Sequence, residues 1–169
     1  MSLLDAGQIS SREIAEHYLE RIALVEPRIH AVVSCDAEAV LRAADRADEV
    51  RARGERRPLL GLPVTVKDSI DVSGLPCTGG SLARQGHRPA RDATVVARLR
   101  DAGAVIIGKT NLSEWANIRS TRSTSGWSAR GGLTRNPHDL RRNTSGSSSG
   151  SAAAIAAGFA AVSVGTETD

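Results

Sequence analysis

The chain has 169 residues, 40% of them hydrophobic and 24% charged, a length and balance that suit one soluble domain with a modest core. The formal net charge is only +3, and the arginines are interleaved with Asp and Glu, which is the pattern of a solvated surface and not of a nucleic-acid stripe. Cys35 and Cys77 fit neither metal-ligand spacing nor a disulfide framework, the four histidines are scattered, and no apolar run reaches membrane-spanning length. The expectation is a chain with no metal, no direct nucleic-acid contact and no membrane contact. With no apolar leader at the N-terminus, a cytoplasmic, reducing setting follows.

Ser10 and Glu13 form a capping-box pattern. Ile14, Tyr18, Ile22 and Val25 then recur at helical spacing, and Pro27 is expected to stop the helix. Asp36 is placed to cap a second helix, with Val40, Ala43, Ala44, Ala47 and Val50 inward and Gly54 after it. Both read as amphipathic packing helices. Residues 53–58 form a charged turn. Val64-Thr65-Val66-Lys67 alternates as a strand does, which puts Lys67 at the strand's carboxyl end, where open α/β sheets collect reactive groups. A lysine there is more often a snorkelling surface group, but the short apolar strand around it argues for burial.

Residues 71–91 are rich in Gly, Pro, Ser and Thr and read as irregular, with Cys77 a packing residue and not a nucleophile. Asp92 is expected to cap a third helix, with Val95, Val96, Leu99 and Ala102 inward. Ala104-Val105-Ile106-Ile107 reads as a buried parallel strand. Helix followed by strand, repeated, argues an α/β fold. Gly103 to Thr110 matches a phosphate-loop pattern, but its four middle residues are the strand itself, so nucleotide binding is rejected. Asn111 to Trp115 reads as a short helical turn. Residues 120–132 are a polar loop, and its Trp127 has two readings: part of a mobile surface loop, or the apolar wall of a substrate pocket.

The stretch from Asn143 onward runs from a Gly/Ser loop into an Ala-rich helix with Ala152, Ile155, Ala156 and Phe159 at helical spacing, then the strand Val162-Ser163-Val164. Flexible backbone and hydroxyls just before a helix N-terminus suit an anion or a forming oxyanion. The plainer readings are a linker, or serine N-capping.

Three motifs in order carry a resemblance. They are Gly61-Leu62-Pro63-Val64-Thr65-Val66-Lys67-Asp68, then Gly108-Lys109-Thr110-Asn111-Leu112-Ser113-Glu114, then Ser145 to Ala154 with Gly165-Thr166-Glu167-Thr168-Asp169 after it. From about Ser10 to its last residue, the chain resembles the N-terminal third of an amidase-signature enzyme. The resemblance implies a mixed β-sheet flanked by helices, with residues 1–57 a helical region and residues 58–169 the start of the α/β catalytic core.

It also implies an activity: hydrolysis of a small-molecule carboxylic amide through an acyl-serine, without a cofactor. Carried over, Lys67 is the general base and Ser147 the serine that passes protons between the lysine and the nucleophile, after a cis Gly146–Ser147 bond. Ser148 is a supporting hydroxyl, and the amides of Thr168 and Asp169 begin the oxyanion hole. A lysine works as a base near neutral pH only if burial pulls its pKa well below about 10.4. The nucleophilic serine would fall two positions past Asp169. The 169-residue chain is therefore expected to be inactive, a truncated product, pseudogene fragment or artificial cut, and prone to associate through uncovered edges. The full-length enzyme could be a homodimer. Two alternatives stand. One is the catalytic A subunit of a transfer-RNA-dependent amidotransferase, although Thr166-Glu167-Thr168-Asp169 looks more like general amidases. The other is a non-catalytic binding or interaction fragment.

Overall fold

The computed structural model describes residues 2–118 and 120–167. A short helix α1 (Ser2–Asp5) leads to α2 (Ser11–Ile29), strand β1 (Val32–Cys35) and α3 (Ala37–Ala52). Strand β2 (Pro63–Lys67), helix α4 (Thr94–Asp101) and strand β3 (Val105–Thr110) follow. Two small hairpins come next: β4 (Trp127–Ser128) with β5 (Gly132–Leu133), and β6 (Arg135–Asn136) with β7 (Asp139–Asn143). Helix α5 (Ser149–Ala156) and strand β8 (Val162–Val164) close the described chain.

The main sheet has the order β1-β3-β2-β8. β2 runs parallel to both β3 and β8, and β1 runs antiparallel to β3. β3 is buried on both faces, as its unbroken apolar run predicts. Val105 and Ile107 join one core with Ala15 and Ile22 of α2, Val40 and Ala44 of α3, and Ala153 and Phe159. Ile106 joins the other core with Val64, Val66, Val72 and Val96 of α4. Helices therefore flank a mixed sheet, and among the described residues no helix is long and apolar enough to cross a membrane.

Local chemistry explains most element ends. The capping box forms: Ser10 Oγ accepts from Glu13 N at 3.0 Å, and Ser10 N donates to Glu13 Oε2 at 2.8 Å. Asp36 caps α3 through Ala39 N. Gly103 (φ +94°) turns between α4 and β3, and from Val105 to Thr110 the apparent phosphate loop is strand.

Four expectations need correction. Pro27 does not stop α2, which runs on to Ile29 and ends at left-handed His30. The last turn carries Ile29 into the core, and Glu26 Oε2 and Oε1 take up the N–H groups of Ala31 and Val32 at 3.0 Å each. Asp92 does not cap α4. It accepts from Ser73 N at 2.7 Å and pairs with Arg100, while Ala93 holds the cap position and Val95 faces outward. The helical turn expected over Asn111 to Trp115 does not form: residues 111–113 are not helical, and Trp115, Ala116 and Asn117 all have positive φ. In α5 the buried residues are Ser149, Gly150, Ser151, Ala153 and Ala154, while Ala152 and Ala156 are exposed and Ile155 is 40% exposed. The reason is steric: Gly150 lies against the backbone of Ala31 and Asn111, where a Cβ would overlap, and its N–H donates to Asn111 O at 2.9 Å. That contact sets the rotation of the helix.

Candidate active site

Parallel neighbours bring their carboxyl ends together. β2 ends at Lys67, and β8 beside it runs out into Gly165 and Thr166. The loop before α5 arrives at the same edge. Lys67 lies 2.8 Å from Ser147 Oγ, 3.1 Å from Ser148 Oγ and 2.5 Å from Thr166 Oγ1, measured from Nζ. The lysine is 1% exposed, and among the described residues it has no carboxylate within ion-pairing distance. Burial pulls its pKa below the ordinary lysine value, since desolvation disfavours the ammonium form. Three neutral hydroxyls suit an uncharged amine, which can donate two N–H bonds and accept a proton on its lone pair.

Several contacts hold these hydroxyls. Ser148 stands at the N-cap of α5 but makes no capping bond with its side chain. Its Oγ instead donates to Thr166 O and accepts from Thr166 N, each at 3.1 Å, which straps the chain after β8 to the serine loop. Gly165 must lack a Cβ, because one would lie 2.7 Å from that oxygen. The Gly146–Ser147 peptide is cis, and Ser147 O accepts from Ser113 N at 3.0 Å. Thr110 Oγ1 meets Ser151 Oγ at 2.7 Å, so the end of β3 also braces the start of α5.

Lys67 opens onto a cavity of about 620 Å³, whose other lining residues include Leu112, Trp115, Ile118, Thr166 and Glu167. Cys77 also lines it, and burial pushes this thiol up to about 11, as an inert packing residue requires. Of the residues that the sequence singles out, Lys67, Ser147 and Ser148 meet. Trp127 does not join them: it lines a separate hollow of about 510 Å³ with Glu114, Asn117 and Thr124. The indole beside Lys67 belongs to Trp115, held there by the left-handed turn and by Trp115 N donating to Gly79 O at 3.0 Å. Thr168 and Asp169 lie outside the described residues. Thr166 was visible in the sequence only as part of a motif; its position directly after a strand parallel to β2 is the signal that marks it. Among the described residues, no group of three or more His, Cys, Asp and Glu stands together as a metal site.

This arrangement defines a class of site, a buried amine facing serine and threonine hydroxyls at the carboxyl edge of a mixed sheet. The amidase family model matches residues 13–169. A probable amidase of Arabidopsis thaliana is 47% identical over 165 residues, which are 96% of this chain and 32% of that protein. The A subunit of the glutamyl-tRNA(Gln) amidotransferase of Acidothermus cellulolyticus is 45% identical over 168 residues, 99% of this chain and 32% of that protein. The native peptide amidase of Stenotrophomonas maltophilia superposes with a TM-score of 0.95 at 49% identity, covering 99% of this chain and 35% of the other. The chain belongs to the amidase-signature family. It spans about a third of the length of the relatives that it matches.

Proposed function

We propose that this chain supplies the base half of an amide-hydrolysing site. In this reading uncharged Lys67 takes a proton from Ser147, and Ser147 takes one from the attacking serine. That transfer returns later to protonate the leaving amine. Ser148 and Thr166 hold the amine in place. The observation that carries the reading is Lys67 itself, buried among three hydroxyl oxygens and, among the described residues, with no carboxylate within ion-pairing distance.

The family resemblance puts the nucleophile two positions past Asp169, with the oxyanion hole starting at the amides of Thr168 and Asp169. The 169-residue polypeptide alone is then inactive, and the activity is that of the longer protein. The likeness to a peptide amidase supports a carboxylic amide on a peptide-like acyl group, and the Leu112, Trp115 and Ile118 wall is compatible with an apolar one. The test is labelling with a serine-reactive fluorophosphonate. The full-length gene product should be labelled, and both the 169-residue chain and a full-length Lys67→Met variant should not. Undiminished labelling of the Lys67→Met protein would defeat the assignment.

A second reading has its own support, since several relatives at 43–48% identity are amidotransferase A subunits. In that case the full-length protein works with partner subunits and an ammonia donor. Co-purification with such partners would favour it, and amide hydrolysis by the isolated full-length protein would favour the first.

A further inference from the structure

Of the 22 basic side chains, only Lys67 and Lys109 are lysines; every other is arginine. Both lysines are buried. Lys67 is assigned above, and the proposed reaction gives Lys109 no part. It sits on β3, where Val66 and not Lys67 is its register partner. Its Nζ lies 3.5 Å from Asp68 Oδ1 and 3.1 Å from Pro76 O. Both members of the Lys109–Asp68 pair are 0% exposed.

Asp68 is the residue after Lys67, and it is the hub of a short loop. Its Oδ2 accepts from Thr78 Oγ1, and also from Thr78 N at 3.3 Å. Its backbone oxygen accepts from Gly79 N at 3.2 Å and from Cys77 Sγ at 3.3 Å. Thr78 Oγ1 in turn accepts from Gly80 N at 3.1 Å. Each residue from Pro76 to Gly80 is thereby tied to Lys109, to Asp68 or to Thr78. Cys77 and Gly79 line the Lys67 cavity, and Gly79 O holds Trp115 N.

A buried ion pair is weak evidence for stability, since apolar residues of like volume often serve as well. This pair is built differently from a simple strut. One carboxylate gathers a loop onto the wall of a neighbouring cavity, the one in which burial lowers the Lys67 pKa. We propose that Lys109 and Asp68 are positioning residues, whose ion pair clamps the Pro76–Gly80 loop over the Lys67 cavity and keeps water from the amine. The proposal rests on Lys67 being the base. Asp71, Cys77, Arg84 and Glu167 are the other titratable groups lining that cavity. The clamp acts by exclusion of water and not by adding charge to this set.

The test uses the full-length protein with isotope-labelled lysine, in which the Lys67 side-chain amine signal is the one lost in Lys67→Arg. Lys109→Met should speed amide hydrogen exchange at Cys77–Gly80 by at least about tenfold. It should also move the Lys67 titration midpoint up toward about 10.4. Thr78→Val, which removes one arm and leaves the ion pair, should move both in the same direction by less, and it decides the matter if Lys109→Met does not fold. A loop that exchanges no faster in Thr78→Val and in any folded Lys109→Met overturns the clamp. So does a freed loop with an unmoved Lys67 midpoint. A wild-type Lys67 that already titrates like free lysine overturns the base assignment and the clamp together, so the two failures are distinguishable.

Discussion

On the helical side of the sheet, positive charge is carried by arginines that meet carboxylates at the surface. Arg12 reaches Asp45 at 2.7 Å and Glu16 at 2.9 Å, and Arg42 reaches Glu38 at 3.4 Å. At the carboxyl ends of β2 and β8 the cation-forming group is a lysine, buried with three hydroxyls and, among the described residues, with no carboxylate in ion-pairing distance. The contrast shows how one chain assigns two jobs to basic side chains. An arginine is always charged and tolerates water, so it suits an exposed helix face. A buried amine that meets hydroxyls in place of a counter-ion favours its uncharged form, which is the form the proposed base role requires.

The widest break in this comparison comes from the site itself. Lys67→Met in the full-length protein should lower amide turnover by about 10²–10⁴-fold, the usual range for a lost general base. Lys67→Arg should lose as much, because a guanidinium cannot be deprotonated there. A turnover assay with a simple amide checks both.

The next effect lies in the core that both regions share. Phe159 is fully buried between the helices and the sheet, so Phe159→Ala should destabilise the chain by about 3–5 kcal/mol in chemical denaturation.

Glu26 sharpens the comparison, since it is a helical-side carboxylate that, among the described residues, pairs with no arginine and accepts from the amides of Ala31 and Val32. Burial raises its pKa to about 7, against the opposing pull of the Ala31 and Val32 amides. Between the ordinary carboxylate value of about 4.3 and about 7 the folded chain holds a proton that the unfolded chain has lost. Stability should therefore fall as pH rises through that window. Thermal melts across it should show the decline, and Glu26→Gln should flatten it.

The smallest effect belongs to the exposed pairs. Arg42→Ala should change stability by no more than about 0.5 kcal/mol, because water screens its partner Glu38.

What could be read from residue order alone follows the same division. The helices α2 and α3 were legible because apolar spacing and capping serines and aspartates act locally. Strand β2 was legible from its alternation, and β3 and β8 as short apolar runs. Strand β1 was not, since four residues between two strong helices carry little pattern. The hairpins β4–β5 and β6–β7 were hidden, because β4, β5 and β6 are two residues each and too short for periodicity, and β7 (Asp139–Asn143) carries a single apolar residue, Leu140. Helix α5 misled for another reason: a run of Ser, Gly and Ala has no distinct apolar face, and Gly150 against Asn111 decides its rotation. At the site, Lys67, Ser147 and Ser148 came from motif resemblance. Thr166, Trp115 and the Lys109–Asp68 pair depend on strand order and on a left-handed turn, which are not local properties of the sequence.

The proton affinity of one amine tests the account most directly. The side-chain nitrogen of Lys67 can be followed by magnetic resonance through a pH titration of the wild-type chain. A midpoint well below about 10.4 is the result expected here. A midpoint at or above that value would mean a charged lysine among the three hydroxyls, and the reading of this edge as the base half of an amidase site would be wrong.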